Sequence, residues 1–93
     1  MSWAQRFSLL ADPGRLSLLV CIRAAGPISV TDLAVASGMN DTTVSQALRL
    51  LRAAGLVAPE RDGRVIRYSL ADEETGSLLV RLFPVPVEVP AGP

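Results

Sequence analysis

Gln46 stands beside Ser45 and Thr43, and is followed by Arg49 and Arg52: a run of hydrogen-bonding and cationic side chains with no nucleophile–base pair near it. The chain has no histidine and one cysteine, Cys21. A Ser/His or Cys/His couple is therefore unavailable, no Gly-rich phosphate loop is present, and catalysis is unsupported. The run offers recognition instead. A glutamine amide can pair with an adenine edge through two hydrogen bonds, and arginine suits bidentate contact with guanine or phosphate. All nine basic residues are arginines. Five of them (Arg49, Arg52, Arg61, Arg64 and Arg67) lie close together against Glu60 and Asp62, a local excess of three. Asp72, Glu73, Glu74 and Glu88 against Arg81 make a deficit of three further on. The net charge of zero and pI near 6.1 thus hide a charge polarised along the chain. For attracting an anionic partner, that distribution matters more than the total.

The stretch that must position these groups is GMNDTTVSQALRLLRAAGLV, residues 38–57. Val44, Ala47, Leu48 and Leu51 recur at helical spacing, with Asn40 or Asp41 as cap and Gly55 as the end. The opposite face carries Thr43, Ser45, Gln46, Arg49 and Arg52. Upstream, Val30–Ser37 reads as a helix ending at Gly38, so the two helices have helix-turn-helix spacing. Downstream, Asp62-Gly63 between two β-prone runs predicts a hairpin, with Pro59 limiting its first strand to an edge. Val65, Arg67 and Ser69 alternate with Ile66, Tyr68 and Leu70, which predicts one packed face and one face open to a phosphate backbone.

The remaining elements frame this unit. Ser2–Leu10 predicts a short helix with Trp3, Phe7 and Leu10 on one stripe, and Asp12-Pro13 opens a second helix that stops at Gly26-Pro27. Ile28 is a candidate for one short edge strand. Asp72 caps a last helix carrying Leu78, Leu79, Leu82 and Phe83, with Gly76 weakening its first turns, and Pro84 ends it. We read residues 1–83 as one DNA-binding and dimerisation domain, and 84–93 as a proline-rich tail. Ninety-three residues bury a modest core, so a homodimer through Trp3, Phe7, Leu10, Leu78, Leu79, Leu82 and Phe83 is expected. No apolar run is long enough to span a membrane. With no secretory signal pattern and one cysteine, a cytoplasmic location is expected.

Three segments together resemble the ArsR/SmtB family of bacterial winged-helix transcriptional regulators: LADPGRLSLLVCIRAAGPISVTDLA, TTVSQALRLLRAAGLV and RDGRVIRYSLAD, covering roughly Phe7 to Leu79. The resemblance implies a mainly α fold with a small β-hairpin: a winged helix-turn-helix of about five helices plus a two-stranded wing. It also implies a homodimeric repressor that binds palindromic operator DNA and releases it when an effector binds. Asp41–Arg52 would be the recognition helix. Asn40, Asp41, Thr42, Thr43, Ser45 and Gln46 would face the groove, with Arg49 and Arg52 on the backbone. Arg61, Arg64 and Arg67 of the wing would reach adjacent phosphates or the minor groove.

The chain departs from the family where metals are sensed. The stretch matching the family's cysteine motif is Pro27–Leu33, without cysteine. The last-helix motif opens Asp72-Glu73-Glu74, with glutamate in place of histidine. Zinc and nickel favour imidazole and thiolate, so no cofactor is expected. Asp72 and Glu74 remain weak metal candidates, as part of a carboxylate site across a dimer; a helix N-terminus stabilised by acidic residues is the competing reading. Cys21, in a mostly apolar helix, reads as a small buried hydrophobe, with a redox role as the alternative. Asn40-Asp41-Thr42 matches a glycosylation sequon formally and reads as a helix cap. A winged-helix module that binds protein rather than DNA is the alternative function.

Overall fold

Each expected helix forms where its polar start signal sits. The computed structural model describes residues 1–84. Its elements are α1 (Trp3–Leu10), α2 (Pro13–Ala25), β1 (Ile28–Ser29), α3 (Val30–Ser37), α4 (Asp41–Ala53), β2 (Val57–Asp62), β3 (Val65–Leu70) and α5 (Glu73–Leu82). Every helix begins on a short polar side chain that accepts a backbone N–H three residues on: Ser2 from Gln5, Asp12 from Arg15, Ser29 from Asp32, Asn40 from Thr43 and Asp72 from Thr75. Such a bond satisfies one of the donors a helix start leaves unpaired and stabilises by about 1 kcal/mol. Of the expected proline-rich tail only Pro84 is among the described residues; Glu88 lies outside them.

Helix α2 is the hub, touching α1, α3, α4, α5 and β3. Its Leu18, Leu19 and Ile22 are almost completely buried. Against it α4 turns Val44, Leu48 and Leu51, at i, i+4 and i+7, all buried, while its polar side stays in solvent. The turn between α3 and α4 depends on Gly38, whose φ of 73° is left-handed and would strain a residue with a Cβ. Its N–H returns to the carbonyls of Ala34 and Val35, closing α3 just before Asn40 opens α4.

The sheet has the order β1-β3-β2, antiparallel throughout. The wing itself is the two-stranded hairpin β2–β3. The third strand is Ile28–Ser29, which pairs with Tyr68 and Arg67. It covers part of a β3 edge whose backbone groups would otherwise lack partners, and it buries Ile28.

Two residues expected at a dimer surface belong to the core. Leu10 and Leu79 are 9% and 0% exposed within the single chain, so neither has area left for a partner. Apolar residues occupy more than one side of α5, and its inward stripe is Thr75 and Leu79, four apart. Trp3, Phe7, Leu82 and Phe83 remain exposed, Leu78 is half-buried, and Val80, absent from the expected set, is also exposed.

A contact between residues 66 positions apart fixes α1 against the start of α5. Arg6 donates from Nε to Asp72 Oδ2 (2.8 Å) and from Nη2 to Oδ1 (3.2 Å). Its guanidinium also lies 4.8 Å over the Trp3 ring. Asp72 Oδ2 accepts from the Thr75 hydroxyl (2.6 Å) and backbone N–H (3.1 Å) as well. The Arg6 guanidinium and the Thr75 donors hold the Asp72 carboxyl well below the usual carboxylate range. A depressed folded pKa contributes stability that is present above the unfolded value, about 4, and is lost as pH falls through the folded one. Asp72→Ala should lose at least the ~1 kcal/mol of its cap, or roughly 4–8 °C in melting temperature for a domain of this size. Its stability should also fall less steeply than wild type below about pH 4. Denaturant titrations from pH 7 to pH 2 measure both; parallel acid profiles would mean that the pair contributes nothing.

Candidate nucleic-acid interface

Asn40, Asp41, Thr42, Thr43, Ser45, Gln46, Arg49 and Arg52 are all exposed along α4 and its cap. Asn40 is the capping residue: its Oδ1 accepts the Thr43 N–H at 2.8 Å, which leaves the amide NH₂ as the group free to donate to another partner. Asp41, the first helical residue, is not the cap. The exposed Gln46 side chain bonds to no described residue, so its whole amide is available to a ligand.

Two shallow recesses connect this helix to the sheet. One is bounded by Val30, Ser45, Arg49, Arg52 and Tyr68. The next is bounded by Arg52, Pro59, Arg61 and Ile66. Arg52 lines both, so the outer stripe of α4 continues without a break onto the wing. Helical geometry places Ser45, Arg49 and Arg52 on that stripe, with Gln46 one position around toward Thr42.

The register of the wing separates its arginines. Directly paired residues in antiparallel strands share a face. Val57↔Leu70, Pro59↔Tyr68 and Arg61↔Ile66 therefore lie on one face, together with Ile28, which pairs with Tyr68 from the other side. This inner face begins in the core at Val57 and ends at Arg61 beside Arg52. Glu60↔Arg67 and Asp62↔Val65 lie on the outer face. There Arg67 Nε donates to Asp62 Oδ2 at 3.2 Å and faces Glu60 across the ladder. Arg67 is thus ion-paired with Asp62 and lies on the face opposite Arg61. Arg64 occupies the exposed two-residue loop closed by the Asp62↔Val65 pair, with Gly63 at φ 63° before it. Positive φ at the first loop position is the type II′ hairpin pattern, for which glycine is suited.

Charge sets the rest of the site's character. Among the described residues the ion pairs are Arg6–Asp72 and Arg67–Asp62. Arg49, Arg52, Arg61 and Arg64 therefore have no carboxylate within ion-pair reach among the described residues. Arg49, Arg52 and Arg61 line the two adjoining recesses and Arg64 sits in the wing loop, a set of exposed guanidiniums suited to a polyanion. Sequence reasoning assigned Tyr68 to packing, because it alternates with Arg67. It packs against the core, yet it also borders the recess beside Arg49. A residue with an apolar ring and a polar tip can do both.

Within the described residues of one chain, the metal candidates are not gathered into a ligand set. Both Asp72 oxygens are engaged by Arg6 and Thr75, and Glu74 is exposed in a separate shallow recess with Trp3, Ser77, Leu78 and Arg81. Among the described residues no three His, Cys, Asp or Glu side chains converge. Cys21 is partly buried against the apolar core, the setting of a packing residue.

Comparison with known proteins agrees with this geometry. A family model described as the MarR family matches residues 12–65, from the cap of α2 to the start of β3. The chain is 49% identical over 76 residues to the HTH-type transcriptional regulator NmtR of Mycobacterium tuberculosis, covering 82% of this chain and 62% of that one. It is 44% identical over 75 residues to a transcriptional repressor SmtB homolog of Synechocystis, covering 81% and 56%. The chain therefore spans less than two thirds of the length of either relative. Its fold is similar to the solution structure of a homodimeric winged helix-turn-helix DNA-binding domain from Mycobacterium bovis, a possible ArsR-family transcriptional regulator. The TM-score is 0.75 at 34% identity, over 86% of this chain and 73% of the other.

Proposed function

The chain belongs to the ArsR/SmtB family of winged helix-turn-helix transcriptional regulators, and we propose that it is a sequence-specific DNA-binding repressor acting as a homodimer on operator DNA. The observation that carries this reading is the uncompensated arginine row Arg49–Arg52–Arg61–Arg64 beside the open polar side of α4. A protein-only module has no need of such a row.

In this reading α4 enters the major groove. Thr42, Thr43 and Gln46 read base edges, and Ser45, Arg49 and Arg52 contact phosphates. Arg61 and Arg64 carry the contact to the flanking backbone or minor groove. Arg67 is left out because it is ion-paired with Asp62 on the face opposite Arg61. Trp3, Phe7, Leu82, Phe83 and Val80, exposed on α1 and α5, supply the dimer face, which the Arg6–Asp72 pair holds in one piece. Two α4 helices would then meet successive major grooves, ~34 Å apart. The protein works by binding, in the cytoplasm where operator DNA lies. Release by a metal at Asp72 and Glu74 is not part of the proposal, because Asp72 is committed to Arg6.

Selection from a pool of random duplexes at low salt tests the reading. A palindromic site with two half-sites one helical turn apart should be enriched. Gln46→Ala should flatten the preference at one base pair in each half-site, by about 1–3 kcal/mol, and leave the other positions unchanged. Failure to enrich any palindrome would reject the repressor reading. An unchanged preference in Gln46→Ala would reject only the role given to Gln46.

A further inference from the structure

The recess between α3, α4 and β3 holds about 190 Å³ and is bounded by Val30, Ser45, Arg49, Arg52 and Tyr68. Its polar groups come from two elements that meet only in the folded chain. Ser45, Arg49 and Arg52 follow one stripe of α4, and Tyr68 comes from the middle of β3, between Ile28 and Pro59 on the inner face. The Tyr68 hydroxyl bonds to no described residue. No buried side-chain polar atom among the described residues lacks a partner, so this hydroxyl reaches solvent. The two guanidiniums, one turn apart, have no carboxylate to separate their charges. Two cations and two hydroxyls around a small open recess make a donor-rich, carboxylate-free cradle. Its complement is a compact anion with several oxygens.

Resting on the DNA-binding reading, we infer that this recess seats one phosphodiester of the DNA strand and that Tyr68 is a positioning residue for it. The two free phosphate oxygens accept from the Ser45 and Tyr68 hydroxyls and from Arg49 and Arg52. The phosphate is thereby held by the recognition helix and the sheet together, which sets how deep α4 sits in the groove. Arg52 also lines the neighbouring recess of about 320 Å³ with Pro59, Arg61 and Ile66. The strand leaving the seat is led along that recess toward the wing.

Tyr68→Phe keeps the ring and removes one donor, so the melting temperature should stay within a few degrees of wild type. Affinity for the selected duplex and for an unrelated duplex should fall alike, about tenfold, with the salt slope unchanged because no charge is lost. Ser45→Ala should behave similarly and guards against an effect of Tyr68 on folding. The decisive measurement replaces single phosphates of the selected duplex by neutral methylphosphonates. One linkage in each half-site should weaken wild type at least tenfold, and its effect should largely vanish in Tyr68→Phe and Arg52→Ala. Duplex binding that survives both hydroxyl variants unchanged, or penalties that add independently at every linkage, would overturn the seat while leaving the DNA reading intact. Stronger competition by inorganic phosphate than by chloride at equal ionic strength, with no coupled linkage, would assign the recess to a free anion and overturn the inference. Absence of binding to any duplex would overturn both.

Discussion

Arg49→Ala combined with Arg52→Ala should reduce affinity for every duplex, operator or not, by roughly a thousandfold near 0.1 M salt. Each arginine that neutralises a phosphate contributes about 0.9 to the slope of log affinity against log salt. In a homodimer the double variant removes four such contacts, so the slope should become shallower by about 3.6. Base preference should persist in what binding remains, because Gln46 and Thr43 are untouched. Anisotropy titrations of one labelled duplex between 50 and 300 mM salt give both quantities. Structural damage is a poor competing explanation, since both side chains are exposed and neither guanidinium is ion-paired with a described residue. A slope equal to that of wild type would show that neither arginine touches phosphate, and would remove the central support for the repressor reading.

Phe7→Glu combined with Leu82→Glu should yield folded monomers. Both side chains are more than half exposed in the single chain, at 55% and 59%, so the core does not need them. A charge on an apolar face buried between two subunits costs several kcal/mol per site if it is desolvated without a partner. Separating the subunits also removes the second half-site contact, whose linkage to the first raises affinity by a factor of about 10²–10⁴. Sedimentation should therefore show the mass of one chain, with helical content retained and operator affinity reduced by two orders of magnitude or more. The paired control is Leu79→Ala. Leu79 is completely buried against α2, and its truncation should cost about 2–5 kcal/mol of stability rather than change the assembly. A double glutamate variant that remains dimeric would place the subunit contact elsewhere on the molecule.

The two sets of variants separate residues that look alike in the linear chain. Leu79 and Leu82 are both apolar positions of one ten-residue helix, and only packing on α2 shows that one is core and the other surface. Arg61 and Arg67 are both wing arginines. The pairing register sends Arg61 to the inner face beside Arg52, and Arg67 to the outer face between Glu60 and Asp62. A shift of one residue in that register would put both on the same face. Asp72 was legible as a helix cap because its partner Thr75 is three residues away. Its second partner, Arg6, was not, because nothing local connects positions 66 apart.

The amino-acid order alone settled everything whose physics is short-ranged. Asp12 and Asp72 marked two helix starts, the Asn40-Asp41 pair bracketed a third, glycine stopped α3 before α4 and marked the wing tip, and the spacing of Val44, Leu48 and Leu51 divided the recognition helix into a buried and an open side. These depend on neighbours within one or two turns, so a linear reading contains them. Only the packed chain decided which arginines stand together uncompensated, that Tyr68 borders their recess, and that Asp72 is bound to Arg6. Those outcomes depend on how α4, β3 and α1 are brought together. That docking follows from burying the leucine core around α2, and no local pattern of residues encodes it.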